Sequence, residues 1–348
     1  MTGSTVLVTG ARGFLGWHVA LESLRAGYQV RGVTRSPAAP LPAKDPGISW
    51  LEADVTRPET LTDALRDCRY VFHVAGDYRF WSGQTEQIHR NNVEGTINVL
   101  EAASRAGVEK IVYTSTCGIL APKKQGEQNE SELMRIEQAP GPYKRSKLLA
   151  YHEVERRCRR GWPIVSVLPT AVIGPGDQRP TPTGRMLVEF LRGRFPVVSH
   201  TGLNFVDVRD VAGGHVRALH RGICGQRYLL GCQNLWLREF LQKLEPYSRH
   251  RAPKVVVPYW ACRVVAEISE RASRYRGGEP VASLEAVRTS RYCLFFDSSK
   301  AIAQLGYAPH GIEDAIRDAV IYFRERGLVP AWESNTSTGM PTRTTPCS

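Results

Sequence analysis

Three glycines spaced three residues apart constrain this chain more than any other feature. They stand in "VTGARGFLG", where a run of Val and Leu ("STVLVTG") passes directly into the amphipathic stretch "FLGWHVALESLRAG". That transition predicts a buried strand, a tight turn and a helix closed by Gly27. Gly10 permits the turn, Gly13 lets the backbone approach a pyrophosphate, and Gly16 lets the helix pack closely on the strand. The helix N-terminus then offers its N–H groups to an anion.

The pattern that follows agrees with such a turn. "YQVRGVTR", "ISWLEADV", "YVFHVAG", "KIVYTST" and "PIVSVLPTAVIG" read as strands, with helical stretches between the first of them. Alternation of this kind means a parallel sheet with helices on both faces. The predicted fold class is α/β, a Rossmann-type doubly wound parallel sheet with a smaller C-terminal α/β substrate lobe. That lobe mixes helices ("RMLVEFLRG", "LWLREFLQKLE", "EDAIRDAVIYFRERG") with short strands such as "RYLLG". The expected division is 1–175 mainly for dinucleotide binding, 176–330 mainly for the substrate lobe with some return to the first domain, and 331–348 as a disordered Ser/Thr/Pro tail.

An NAD site usually has an acidic residue at the end of the second strand, accepting from the ribose 2′-OH. Here that stretch is "RGVTRS", with no carboxylate and with Arg35 available to a 2′-phosphate. NADP is expected over NAD. Asp54, in "LEADV", either accepts from the adenine amino group or caps a helix.

"YKRSK" places Tyr143 and Lys147 four residues apart, on one helix face. A free tyrosine titrates near ~10 and is a poor base. A neighbouring ammonium and an oxidised nicotinamide would favour its phenolate, making Tyr143 an acid/base for a hydroxyl undergoing hydride transfer. Lys147 can also hold the nicotinamide ribose. "YTSTCG" leaves the fifth strand with Ser115 and Thr116, either of which could hold the substrate oxygen.

Taken together, these motifs resemble the extended short-chain dehydrogenase/reductase superfamily over about residues 4–328. The likeness is carried by T-G-x-x-G-x-x-G (Thr9 to Gly16), "HVAG", "NNVEGT", "TST", Y-x-x-x-K, "VIGPGD" and "NFVDVRDVAGGH". It implies an enzyme with Thr116, Tyr143 and Lys147 as catalytic residues, Thr116 being the third residue of "TST". It implies a dinucleotide site made of Gly10, Gly13, Phe14, Leu15, Gly16, Arg35, Asp54, Val55, Val74, Ala75, Gly76, Asn92, Tyr143, Lys147 and Pro169. Within the superfamily, "HVAGDYRFW", "GPYKRSKLLA" and "PTPTGRMLVEFLRGRFPVVSHTGLNFVDV" resemble hopanoid-associated sugar epimerases, which are similar to dihydroflavonol reductases and 3β-hydroxysteroid dehydrogenases.

Nucleotide-sugar epimerases carry an Asn just before V-x-G-P, where it binds the substrate diphosphate. This chain has Ala171 there, in "LPTAVIGP", with Pro169 upstream as in the reductase and steroid branches. The implied substrate is a polycyclic isoprenoid lipid, a sterol or hopanoid, with a sugar nucleotide or a dihydroflavonol as the alternatives. Tyr78, Phe80 and Trp81 would offer flat rings to such a substrate, with Asp77 and Arg79 facing outward and His73 packed beneath the nucleotide.

The formal net charge is +12, and residues 221–276 hold eleven Lys/Arg against four Asp/Glu. No nucleic-acid module accompanies that charge. "VVVPYWACRVVAEISERASRYR" joins an apolar run to a helix with Arg263, Arg271, Arg274 and Arg276. Peripheral contact with an anionic membrane and plain docking of that helix on the lobe are both open. The eight scattered cysteines have no metal-ligand spacing. They read as reduced thiols, and with no leader pattern at the N-terminus they predict a cytoplasmic protein, soluble or at most peripheral to the inner face of the membrane. A homodimer is compatible with all of this, and no metal is expected.

Overall fold

The computed structural model describes residues 3–36, 46–79, 85–123, 126–195, 197–276 and 283–331. In chain order the first part runs β1 (Thr5–Thr9), α1 (Phe14–Arg25), β2 (Gln29–Thr34), β3 (Ser49–Glu52), α2 (Leu61–Leu65), β4 (Cys68–His73), α3 (Thr85–His89), α4 (Gly95–Arg105), β5 (Lys110–Thr114), α5 (Pro142–Cys158) and β6 (Ile164–Pro169). It continues with β7 (Ala171–Ile173), α6 (Pro182–Leu191), β8 (Val198–Ser199), β9 (Gly202–Asp207), α7 (Val208–Arg221), β10 (Arg227–Leu230), β11 (Gln233–Trp236), α8 (Leu237–Leu244), β12 (Val256–Val257), α9 (Tyr259–Arg276), α10 (Leu284–Thr289), α11 (Ser299–Leu305) and α12 (Glu313–Glu325).

The main sheet has seven strands in the order β10-β6-β5-β4-β1-β2-β3, and every pairing in it is parallel. Both faces are covered, so its inner strands carry unbroken apolar runs. Val6, Val8, Phe72 and Val112 pack toward α1 and α7 on one face, and Leu7, Val71 and Ile111 pack toward α2, α4 and α5 on the other. Gly27, at φ 84°, turns the chain from α1 into β2.

The lobe has its own core, in which Phe190, Phe205, Phe240 and Phe323 join α6, α8 and α12 to β9. Its small sheet runs β11-β9-β7, and β8 pairs with β12. Two expectations change here. "PIVSVLPTAVIG" is not one strand, because it breaks at Thr170, leaving β6 in the main sheet and β7 in the lobe sheet. The Thr170 hydroxyl donates to Asn204 Oδ1 at 2.8 Å, holding that crossing point. "RYLLG" belongs to the main sheet as edge strand β10, because its buried Tyr228, Leu229 and Leu230 extend the two large cores.

Candidate active site

The strand order reverses between β1 and β4, the position at which open α/β sheets form a ligand crevice beyond their strands' carboxyl ends. The glycine turn leaves β1 at that point and "HVAG" leaves β4. Gly10 has φ 68°, and a Cβ on it would lie 2.9 Å from the Ala75 backbone. A Cβ on Gly16 would collide with the Gly10 carbonyl. Gly13 is the N-cap of α1 and supplies no side-chain cap. These three positions thus form a cradle that side chains would fill, which fits a pyrophosphate. Phe14 and Leu15 open α1, with Phe14 edge-on to His18 and Leu15 packed on the core.

Thr9 and His73 brace the floor. The Thr9 hydroxyl accepts from the N–H groups of Val74 and Ala75 at 3.1 and 3.0 Å. Its own proton is left for His73 Nδ1, 2.8 Å away. The imidazole therefore carries its hydrogen on Nε2, which donates to Thr96 at 3.1 Å, and Thr96 donates to the Asn92 carbonyl at 2.6 Å. Burial holds His73 neutral, with its pKa lowered to about 3. It is a strut between β1, β4 and the helix behind them.

Asn92 lies in a π-helical turn, Arg90–Glu94. Its Oδ1 accepts from the Asp77 N–H at 2.6 Å, and its Nδ2 donates to the Asp77 carbonyl and to Ser146 Oγ, both at 2.9 Å. The segment after β4 is thereby clamped to α5. A Cβ on Gly76 would stand 3.3 Å from Lys147 Nζ and 3.4 Å from Asn92 Oδ1. Val74, Ala75, Gly76, Asn92 and Lys147 thus meet at one corner.

Tyr143 and Lys147 project from the first turns of α5, which Pro142 starts. The Thr116 side chain lies near enough to the Tyr143 phenol to favour its charged form. Thr116 Oγ1 also accepts from the Gly118 N–H at 3.1 Å. The Ser115 side chain is buried and acts on the Tyr113 phenol, whereas that of Thr116 acts on Tyr143. Lys147 Nζ donates to the Thr114 carbonyl at 3.0 Å and lies 5.5 Å from the centre of the Tyr113 ring. Burial lowers its pKa to about 8.

The expected lowering of the Tyr143 pKa by Lys147 is not met by the protein's own groups alone. Burial dominates and pushes the phenol well above its ordinary value, while the Thr116 side chain opposes this more weakly. A cationic ring at this corner would act in the missing direction.

A carboxylate absent from the sequence argument completes the helix. Glu285 of α10 is buried, and its oxygens accept from the backbone N–H groups of Tyr143 at 3.2 Å and Lys144 at 3.0 Å. It caps α5 from the other half of the chain. Burial raises its pKa to about 7 against the pull of the two N–H groups and Lys144. Arg288 of the same helix donates to the Pro140 carbonyl at 3.1 Å. Glu270 of α9 in turn accepts from the Leu284 N–H at 2.7 Å. No local motif marks Glu285, because its partner is a helix start some 140 residues earlier.

Residues 6–231 match the NAD dependent epimerase/dehydratase family. The chain belongs to that family. Its members are oxidoreductase-type enzymes on a Rossmann-like sheet, and this chain has the sheet, the glycine cradle and the Tyr–Lys helix in register. A Synechocystis protein named, provisionally, for dihydroflavonol 4-reductase is 37% identical over 327 residues, 92% of this chain and 95% of that one. Sterol demethylase protein B of Methylococcus capsulatus is 29% identical over 327 residues, 93% of this chain and 100% of that one. The crystal structure of gox2253 superposes with a TM-score of 0.84 at 37% identity, covering 94% of this chain and 100% of that one.

Arg35 is exposed just beyond β2. Arg12, inside the glycine turn, lies over the Trp50 ring at 4.7 Å, and Trp50 pairs with Gly32 of β2. Arg12 is thus a second guanidinium on the β2–β3 side of the cradle. Sequence reasoning passed over it, although a basic residue just before the second glycine was the available signal. Asp54 Oδ1 accepts from the N–H and hydroxyl of Thr56, both at 2.9 Å, so it caps a turn. Val55 packs against Gly95 of α4, and Pro169 ends β6 opposite Leu230.

Tyr78 is exposed and its hydroxyl donates to the Arg179 carbonyl at 3.1 Å, bridging the segment after β4 to the loop after β7. Phe80 and Trp81 lie outside the described residues. Asp77 does not face outward as expected. Its side chain is 7% exposed because Arg79 and Asn91 both donate to it.

Proposed function

We propose that the chain is an NADP-preferring dehydrogenase acting on a hydroxyl or ketone of a polycyclic isoprenoid lipid, a sterol or hopanoid. The observation that carries the substrate class is Ala171, a methyl group where a diphosphate-binding side chain would stand. The neighbouring Thr170 hydroxyl is committed to Asn204. The name of the Methylococcus relative supports the same reading, and that of the Synechocystis relative keeps a dihydroflavonol-type ketone as the second one. Arg35 and Arg12 favour NADP, since both stand on the β2–β3 side of the cradle and can meet a 2′-phosphate.

A concrete reaction is oxidation of a sterol 3-hydroxyl to the 3-ketone. The bound dinucleotide supplies the hydride acceptor. Tyr143 takes the hydroxyl proton, Thr116 orients the oxygen, and Lys147 holds the ribose and places positive charge beside the phenol. Glu285 and Asn92 keep α5 and the segment after β4 in place. If C4 carries a carboxylate, the product is a β-keto acid that releases CO2 without a further catalytic group. Tyr78 lies at the rim and offers its ring face to a fused-ring substrate.

Calorimetry with UDP- and dTDP-sugars tests the point on which the reading rests. No binding is expected to the wild type. Micromolar binding of either sugar nucleotide would replace the lipid reading with the epimerase one.

A further inference from the structure

Helix α9 has its amphipathicity reversed. Its inward side carries Ala266 and the buried acid Glu270, while Trp260, Val264, Ile268 and Tyr275 are 69%, 49%, 61% and 93% exposed. The spacing of four, four and seven residues puts these on one stripe down the helix. The stripe continues into β12 and the residue before it, where Val256 and Val255 are 50% and 61% exposed. A contiguous exposed apolar face of this kind marks an interaction site.

Its surroundings decide the partner. Arg271 interrupts the stripe, Arg263 flanks it, and Lys254 precedes it, all three exposed. Immediately upstream, Arg249, His250 and Arg251 line a surface cavity of about 340 Å³ floored by Phe190 and Phe195. Residues 221–276 carry eleven basic residues against four acidic ones. The four acids offset only part of this: Glu270 is turned inward to α10, Glu239 accepts from the Trp236 N–H, and Glu245 and Glu267 each neutralise one arginine, Arg251 and Arg263, while Lys254 and Arg271 stay exposed. A two-fold contact with a second copy would set this basic rim against itself. Of the four arginines that the sequence singled out, Arg274 and Arg276 have side chains outside the described residues.

We infer that the α9 stripe seats in the interface of an anionic lipid bilayer, with Trp260, Val264 and Ile268 among the acyl chains and the Arg249–Lys254 segment at the headgroups. Among the described residues no helix is long and apolar enough to cross a membrane, so the contact is peripheral. It draws on two signals, apolar insertion and charge, which single weak anchors need for stable binding. The surface alone carries this inference, and it does not require that the substrate be a lipid.

The test is co-sedimentation of the full chain with phosphatidylcholine vesicles and with phosphatidylcholine–phosphatidylglycerol vesicles, alongside light scattering for oligomeric state. The wild type is expected to bind the phosphatidylglycerol vesicles and to be released as salt rises. Trp260→Asp/Ile268→Asp is expected to lower that partition by at least ~10-fold, with NADPH affinity and melting temperature unchanged because both side chains face solvent. Lys254→Glu/Arg271→Glu is expected to remove the preference for phosphatidylglycerol. Absence of binding to both vesicle types overturns the inference, as does equal binding to both. A dimer that Trp260→Asp/Ile268→Asp splits, with no vesicle binding, assigns the stripe to a second copy instead.

Discussion

Two helices meet the crevice with their N-termini, and they solve the same problem in opposite ways. Both α1 and α5 start after a glycine in extended backbone, Gly13 and Gly141, and neither glycine can supply a side-chain cap. Neither first turn has an acidic residue. At α5 a buried carboxyl group from α10 supplies the acceptors. At α1 the glycines keep side chains clear, and the acceptors have to come from a ligand. The local sequence at the two starts is nearly equivalent, so what each does depends on what the rest of the chain brings to it. One start is left open for a ligand, and the other is a structural joint that fixes Tyr143.

Three substitutions probe this difference. The largest effect is expected at α5 itself. Tyr143→Phe keeps the ring and removes the titrating oxygen, so turnover should fall ~10²-fold or more while NADPH binding stays intact. Steady-state rates beside a fluorescence titration of NADPH check both halves. Next comes the α1 side. Arg35→Asp should weaken NADP(H) by about tenfold or more and leave NAD(H) nearly unchanged, since a charge-assisted bond of ~1.5–3 kcal/mol is replaced by repulsion. Dissociation constants for both cofactors decide it, and equal weakening would remove Arg35 from phosphate recognition.

The smallest effect is expected at Glu285. Glu285→Gln keeps the shape and one acceptor, so stability should fall by about 0.5–2 kcal/mol, the scale of a lost helix cap, and the rate only a few-fold. Its pH signature is more specific. The folded pKa is raised to about 7 from the ordinary 4.5, so the folded state holds the proton more tightly than the unfolded chain. The stability that Glu285 contributes is therefore fully present below about 4.5 and is lost as pH rises through about 7. The groups facing it are Lys144, Glu270 and Tyr143, and all remain in the variant. The melting-temperature advantage of the wild type over Glu285→Gln should shrink from pH 5 to pH 8. A constant gap would show that Glu285 does not titrate in this window.

The same contrast explains what the sequence made legible. The α1 start was readable because every requirement is local: a strand, three glycines and a helix within about a dozen residues. The Tyr143–Lys147 face was readable for the same reason, as a spacing on one element, whereas the residues alone left Ser115 and Thr116 open and the family resemblance singled out Thr116. Glu285 was not, because its role depends on a contact between residues far apart in the chain. The break at Thr170 escaped for a similar reason, since two strands of different sheets follow one another with nothing polar between them except that threonine. Asp77 was misread because its burial comes from Asn91 and Arg79 closing over it, which no periodicity reports. Arg12 was overlooked because the glycine motif treats its position as free.

The most direct measurement mixes the full chain, NADP⁺ and a 3β-hydroxysterol, follows NADPH absorbance, and identifies the sterol product by mass spectrometry. NADPH is expected to appear in step with the 3-ketosterol, and a sterol bearing a C4 carboxylate is expected to yield CO2 as well. Unchanged sterol and no NADPH, from protein that binds NADPH normally, would contradict the assignment of this site to polycyclic alcohols.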